Sequence, residues 1–118
     1  MRIFTHVLDG THGKPALGMH ALLARHGENG WTAVADAETD YNGRIEEWAD
    51  WYLERGLYRI VFDSDGYFAS QGVAAAYSEV GVIFRVQGGG QYLRVQVTIS
   101  PYSYSTYFGT LDNPADRQ

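Results

Sequence analysis

An imidazole at His6, a guanidinium at Arg94 and the phenols of a closing run, Ser100-Pro101-Tyr102-Ser103-Tyr104-Ser105-Thr106-Tyr107-Phe108-Gly109-Thr110, are the groups whose type and setting could do chemistry. An imidazole gives or takes a proton near neutrality. A guanidinium keeps its protons at any working pH, so it can hold negative charge but cannot act as a base. Tyrosines alternating with small hydroxyl residues present one aromatic face and one small polar face, the period-two signature of a strand. Each group also has a plainer role open to it. His6, beside Phe4 and Leu8, reads on its own as a structural histidine, and Arg44 after Asn42-Gly43 as a solvated turn residue. Arg94 could be a cross-strand ion-pair partner, and Tyr107 could be interface packing.

Other chemistry finds little support. His12, His20 and His26 fall in turns or on solvent faces, and no His or Cys spacing suggests a metal site. No phosphate loop, nucleophile elbow or dinucleotide fingerprint is present, so no cofactor is expected. Glu46, Glu47 and Asp50 are most simply a solvated face. The net charge of −5, with no basic run, argues against a nucleic-acid partner. No segment has the apolar length to cross a membrane, and the start lacks a secretory apolar region, so a cytoplasmic location is expected. The absence of cysteine fits a reducing compartment or stability gained by oligomerising.

These groups need elements to position them. The 118 residues suit one domain, and 45% hydrophobic residues suffice for a core. Residues 2–9 alternate, with Phe4, His6 and Leu8 on one side and Ile3, Thr5 and Val7 on the other. A turn cluster, Asp9 to Pro15, leads to strands over Met19–His26 and Trp31–Thr39, and Asp40-Tyr41-Asn42-Gly43 is a strong turn signal. Over 45–54, Ile45, Trp48 and Tyr52 recur at helical spacing, and helix competes there with loop and short strand. Leu57–Phe62 reads as a strand, Asp63 to Gly66 as a turn, and Tyr67–Gln71 as a short helix stopped by Gly72. Glu79–Val86 is a strand, and Gly88 to Gly90 a hairpin loop. In Tyr92–Ser100, Leu93, Val95, Val97 and Ile99 make an apolar face. Arg94, Gln96 and Thr98 make a polar one, which must meet water, a channel or an interface. The last strand spans about Tyr104–Thr110, and Leu111 to Gln118 read as a flexible tail. The fold class is all-β, a two-sheet sandwich of seven to eight strands with one short helix.

Three stretches resemble the transthyretin-like family, and within it the 5-hydroxyisourate hydrolases. They are Thr5-His6-Val7-Leu8-Asp9 with Gly13-Lys14-Pro15-Ala16, then Asn42-Gly43-Arg44-Ile45-Glu46, then the closing Ser-Pro-Tyr run. Gly56-Leu57-Tyr58-Arg59-Ile60 and Tyr67-Phe68-Ala69 also fit the spacing, so the similarity runs over nearly the whole chain. The resemblance implies a transthyretin-like (prealbumin) domain over 1–110 and a tail over 111–118. It implies edge-to-edge dimers that pair face to face into a homotetramer, enclosing a channel with a site for a small molecule.

The family hydrolases open a cyclic amide, which needs a base for water and a cationic or hydrogen-bonding group for the developing negative charge. Carried over, His6 matches the first family histidine and Arg44 the family arginine, while Arg94 occupies the position of a second histidine. The family tetrapeptide Tyr-Arg-Gly-Ser reads Tyr107-Phe108-Gly109-Thr110 here. The residues expected to carry the chemistry are therefore His6, Arg44, Arg94 and Tyr107. Those expected to contact substrate are Phe4, Leu8, Gln96, Thr98, Ser105 and Phe108. Two other readings stay open on these departures: the same fold turned to another small aromatic or anionic substrate, and a non-catalytic small-molecule binder.

Overall fold

Which side of each strand is buried follows from alternation, and in two strands the result sets up the site. The computed structural model describes residues 2–46, 48, 53–87 and 92–111. Strand β1 (Arg2–Asp9) buries Ile3, Thr5 and Val7 and leaves His6 and Leu8 half-buried on the opposite side. In the same chain order come β2 (Lys14–Pro15), β3 (His20–Gly27), β4 (Gly30–Glu38), β5 (Arg44–Ile45), β6 (Gly56–Phe62), the helix α1 (Ser64–Ala69), β7 (Val80–Val86), β8 (Tyr92–Ser100) and β9 (Ser103–Leu111). Strand β8 alternates without a break: Leu93, Val95, Val97 and Ile99 are buried, and Arg94, Gln96 and Thr98 are half-buried.

One sheet has the order β2-β1-β8-β9, with β5 also pairing β1, and the other has the order β4-β3-β6-β7. Strands β1 and β8 run parallel; every other described pairing is antiparallel. The core lies between the sheets. Val7, Val95 and Val97 meet Leu23, Ile60 and Phe62 there, all fully buried. Trp48 closes one end, its indole N–H donating to the buried Thr5 hydroxyl at 3.2 Å, so neither polar group is stranded in the core.

A second buried polar group fixes the end of β1. Asp9 accepts hydrogen bonds from the Thr11 and His12 amides, from His12 Nδ1 at 2.8 Å and from the Tyr67 hydroxyl at 2.8 Å. Burial pushes the Asp9 carboxyl up, but the His12 and Tyr67 hydrogen bonds outweigh it and hold the group below its ordinary value. The Tyr67 phenol is pushed up to about 12, first by burial and then by its bond to Asp9.

Several boundaries differ from the sequence expectation. The helix starts three residues earlier, at Ser64, because the Asp63 carboxylate accepts from the Gly66 amide at 3.0 Å and caps it. The last strand runs Ser103–Leu111, so it takes in the first residue assigned to the tail. Seven strands are seven to nine residues long, and β2 and β5 add two residues each. Ile45, expected to open a possible helix, is in β5; residues 47 and 49–52 of that stretch, the Gly88–Gly90 loop and 112–118 lie outside the described residues. Among the described residues no helix is long and apolar enough to cross a membrane.

Candidate active site

Four strands of one sheet bring Arg44, His6, Gln96 and Tyr107 into a single row. His6 pairs Arg44 of β5 on one side and Gln96 of β8 on the other, and Gln96 pairs Tyr107 of β9. At about 4.8 Å per strand, the row spans about 14 Å of sheet. Phe4, Arg94 and Gly109 form the row on one side of it; Leu8, Thr98 and Ser105, with Pro15 beyond Leu8, form the row on the other. Directly opposed residues share a face, so all of these lie on the side of the sheet turned away from the core.

The turn before β5 puts Arg44 in place. Asp40 Oδ1 accepts from the Asn42 amide at 2.8 Å and the Arg44 amide at 3.0 Å, closing the turn on its own side chain. Gly43 has φ +74°, and any Cβ there would run into the Val7 carbonyl oxygen. Its carbonyl accepts from the Val7 amide at 2.7 Å, which docks the turn on β1. Only glycine allows both the conformation and the approach.

The same docking fixes the state of His6. Its Nε2 lies 3.2 Å from the Asn42 carbonyl oxygen. A carbonyl can only accept, so Nε2 carries the proton, and in the neutral ring Nδ1 is left as an acceptor. Burial and then the Arg44 charge lower the His6 pKa below its ordinary 6.5, with Arg94 adding to this; the bond to Asn42 and the Asp40 charge act the other way. The imidazole is therefore neutral at pH 7, with a free basic nitrogen.

Arg94 is held from two sides. Its Nη2 donates to Gln96 Oε1 at 3.1 Å, and its guanidinium carbon lies 5.9 Å from the Phe4 ring centroid. The Nε atoms of both Arg44 and Arg94 are buried with no hydrogen-bond partner among the described residues, and neither guanidinium has an ion pair there. Tyr107 leans across Gly109, where an added Cβ would lie 2.8 Å from the phenol oxygen. That brings the hydroxyl from the His6 row toward the Arg94 row. A neutral base, two guanidinium groups with no direct ion pair among the described residues and a phenol on one face suit attack of water on a carbonyl whose oxygen turns negative. Among the described residues no three His, Cys, Asp or Glu side chains gather to hold a metal ion.

Residues 3–109 match the HIUase/Transthyretin family. The chain belongs to that family. It is 37% identical over 110 residues to a probable 5-hydroxyisourate hydrolase of Caenorhabditis elegans, covering 92% of this chain and 80% of the relative. It is 35% identical over 106 residues to the 5-hydroxyisourate hydrolase of Salmonella dublin, covering 89% and 78%. Among solved structures, the 5-hydroxyisourate hydrolase of Klebsiella pneumoniae superposes with a TM-score of 0.82 at 28% identity, covering 92% of this chain and 99% of that one. Sparus aurata transthyretin superposes with a TM-score of 0.86 at 26% identity, covering 92% and 97%.

Within this HIUase/transthyretin sandwich, two of the expected substrate contacts are placed differently. Phe108 pairs Val95, which is in the core, so it lies on the opposite face from His6; its ring packs 5.5 Å from Phe84 of the other sheet. Strict alternation from Tyr107 carries the same message. Phe4 lies on the site face but is 1% exposed within the single chain, so it backs Arg94 and offers no surface to a ligand. Phe4 therefore needs no second subunit to cover it. Leu8, Gln96, Thr98, Ser105 and Tyr107 all reach the site face. Sequence reasoning missed the Asn42 carbonyl and the Asp40 carboxylate. A backbone acceptor has no residue-type signal, although the Asp40-to-Gly43 turn that holds both was readable.

Proposed function

We propose that this protein hydrolyses 5-hydroxyisourate or a close cyclic amide, with His6 as the base. The observation that carries the reading is a neutral imidazole, open at Nδ1, with two guanidinium groups close enough to act on it and no direct ion pair on either among the described residues. His6 Nδ1 takes a proton from water as the water oxygen adds to the amide carbon. Arg44 and Arg94 meet the negative charge on the former carbonyl oxygen, and the Tyr107 hydroxyl adds a donor. When the ring C–N bond breaks, the imidazolium returns the proton to the leaving nitrogen. Because Arg94 cannot accept a proton, one histidine serves both halves of the cycle. Leu8, Gln96, Thr98 and Ser105 lie on the same sheet face beside these groups, and the scheme uses no cofactor.

A homotetramer belongs to the same reading. Strands β7 and β9 end their sheets on the same side, linked by the Phe84–Phe108 contact, and each leaves a row of backbone donors and acceptors unpaired. Two copies joined along these edges make a dimer with continuous sheets. Two dimers facing each other across the His6 rows enclose a channel. A cytoplasmic setting and a place in purine metabolism follow from the proposed substrate.

The experiment is direct. Purified protein is mixed with freshly generated 5-hydroxyisourate and its ultraviolet absorbance followed; decay well above the rate in buffer is expected. Decay at the buffer rate rejects the reading, and binding without decay would make the protein a carrier.

A further inference from the structure

We propose that Arg94, set by Gln96 and Phe4, makes this site selective for planar heterocycles that carry an anionic group. The inference rests on the reading of this face as a substrate site, and adds to it the class of molecule the site prefers.

Three observations carry it. The first is charge. Arg44 and Arg94 both stand close enough to His6 to depress its proton affinity, and neither has an ion pair among the described residues. The Asp40 carboxylate offsets part of this charge, but two guanidinium groups against one carboxylate still favour a ligand that brings negative charge with it. The second is geometry. Gln96 Oε1 takes one Nη2 proton of Arg94, and the Phe4 ring supports the guanidinium. A guanidinium held this way loses little freedom when its other donors meet a carboxylate. The buried Nε of each arginine remains without a partner among the described residues. The third is shape. Leu8 and Tyr107 share this face, and the Tyr107 phenol lies across Gly109, the residue paired with Arg94, so aromatic surface for a flat ring adjoins the guanidinium that would meet its anionic edge. Gln96 acts here through Arg94 and is a positioning residue.

Orotate and uracil test this, because they share a ring and differ by one carboxylate. Titration calorimetry of the intact protein is expected to give orotate an affinity at least about tenfold above that of uracil, in the range of one charge-assisted hydrogen-bonded pair. Arg94→Gln should abolish that preference, and Arg94→Lys, which keeps the charge but not the fork, should retain part of it. Gln96→Leu should weaken orotate several-fold and uracil by less, so that the orotate-to-uracil preference falls, whereas a merely structural role would weaken both rings alike. Equal affinity for the two rings, no binding of orotate, or an unaltered preference in Arg94→Gln overturns the proposal. None of these outcomes bears on decay of 5-hydroxyisourate, so failure here and failure of the hydrolase reading are told apart.

Discussion

At the scale of single residues, the account turns on the protonation state of His6. Its pKa lies below 6.5 because burial and the Arg44 and Arg94 charges disfavour the imidazolium. The neutral ring is the form proposed to act, so the midpoint of the acid limb should lie below 6.5. The fall should come further into acid, as one proton binds. A profile of kcat/KM against pH checks this; an acid limb centred at or above 6.5 would mean that the guanidinium groups do not act on the ring. In stability the sign is parallel. The unfolded chain binds the proton first as pH drops below 6.5, so this residue subtracts from stability on the acid side only. The alternation of 2–9 and 92–100 was enough to put His6, Arg94, Gln96 and Thr98 on one side of a sheet. It could not show that Asn42 dictates the tautomer, because that contact is made by backbone across 36 residues of sequence. It also carried the facing of Phe108, which the match to a family arginine obscured.

At the scale of elements, the short β5 and the turn before it decide whether the site forms. Gly43→Ala would force an L side chain to φ +74° against the Val7 carbonyl, at a cost of about 2 kcal/mol or more. Thermal unfolding should show Tm lowered by roughly 5–10 °C. Activity should fall beyond the loss of stability, since Arg44 and the Asn42 carbonyl move with the turn. A stable, fully active Gly43→Ala would contradict the role given to this turn. The turn itself was legible from Asp40-Tyr41-Asn42-Gly43, but its docking on β1 was not, because nothing local to it names the strand it meets. Helix α1 shows a similar limit. Its cap, Asp63, lies in what reads as a turn, so by sequence the first helical turn is indistinguishable from that turn.

At the scale of the whole molecule, sheet edges and the polar face that carries His6 remain once the sandwich is closed. Strands β7 and β9 are edges on the same side of the sandwich, and Ile83 and Tyr104 are exposed along them. The sandwich was readable because strands with one apolar face must pair those faces, whereas assembly depends on how edges meet and leaves a weaker trace in sequence. Sedimentation velocity should give a species of four 13.2 kDa chains, stable to dilution. A monomer at micromolar concentration would remove the channel and leave the His6 row as an open surface.

Most directly, the chemistry is tested by following 5-hydroxyisourate decay with the parent protein and His6→Gln side by side at neutral pH. The parent should outpace buffer, and the variant, folded and of the same oligomeric size, should lose about 100-fold or more of that acceleration. A parent no faster than buffer, or a variant as fast as the parent, would contradict the assignment of this imidazole as the base.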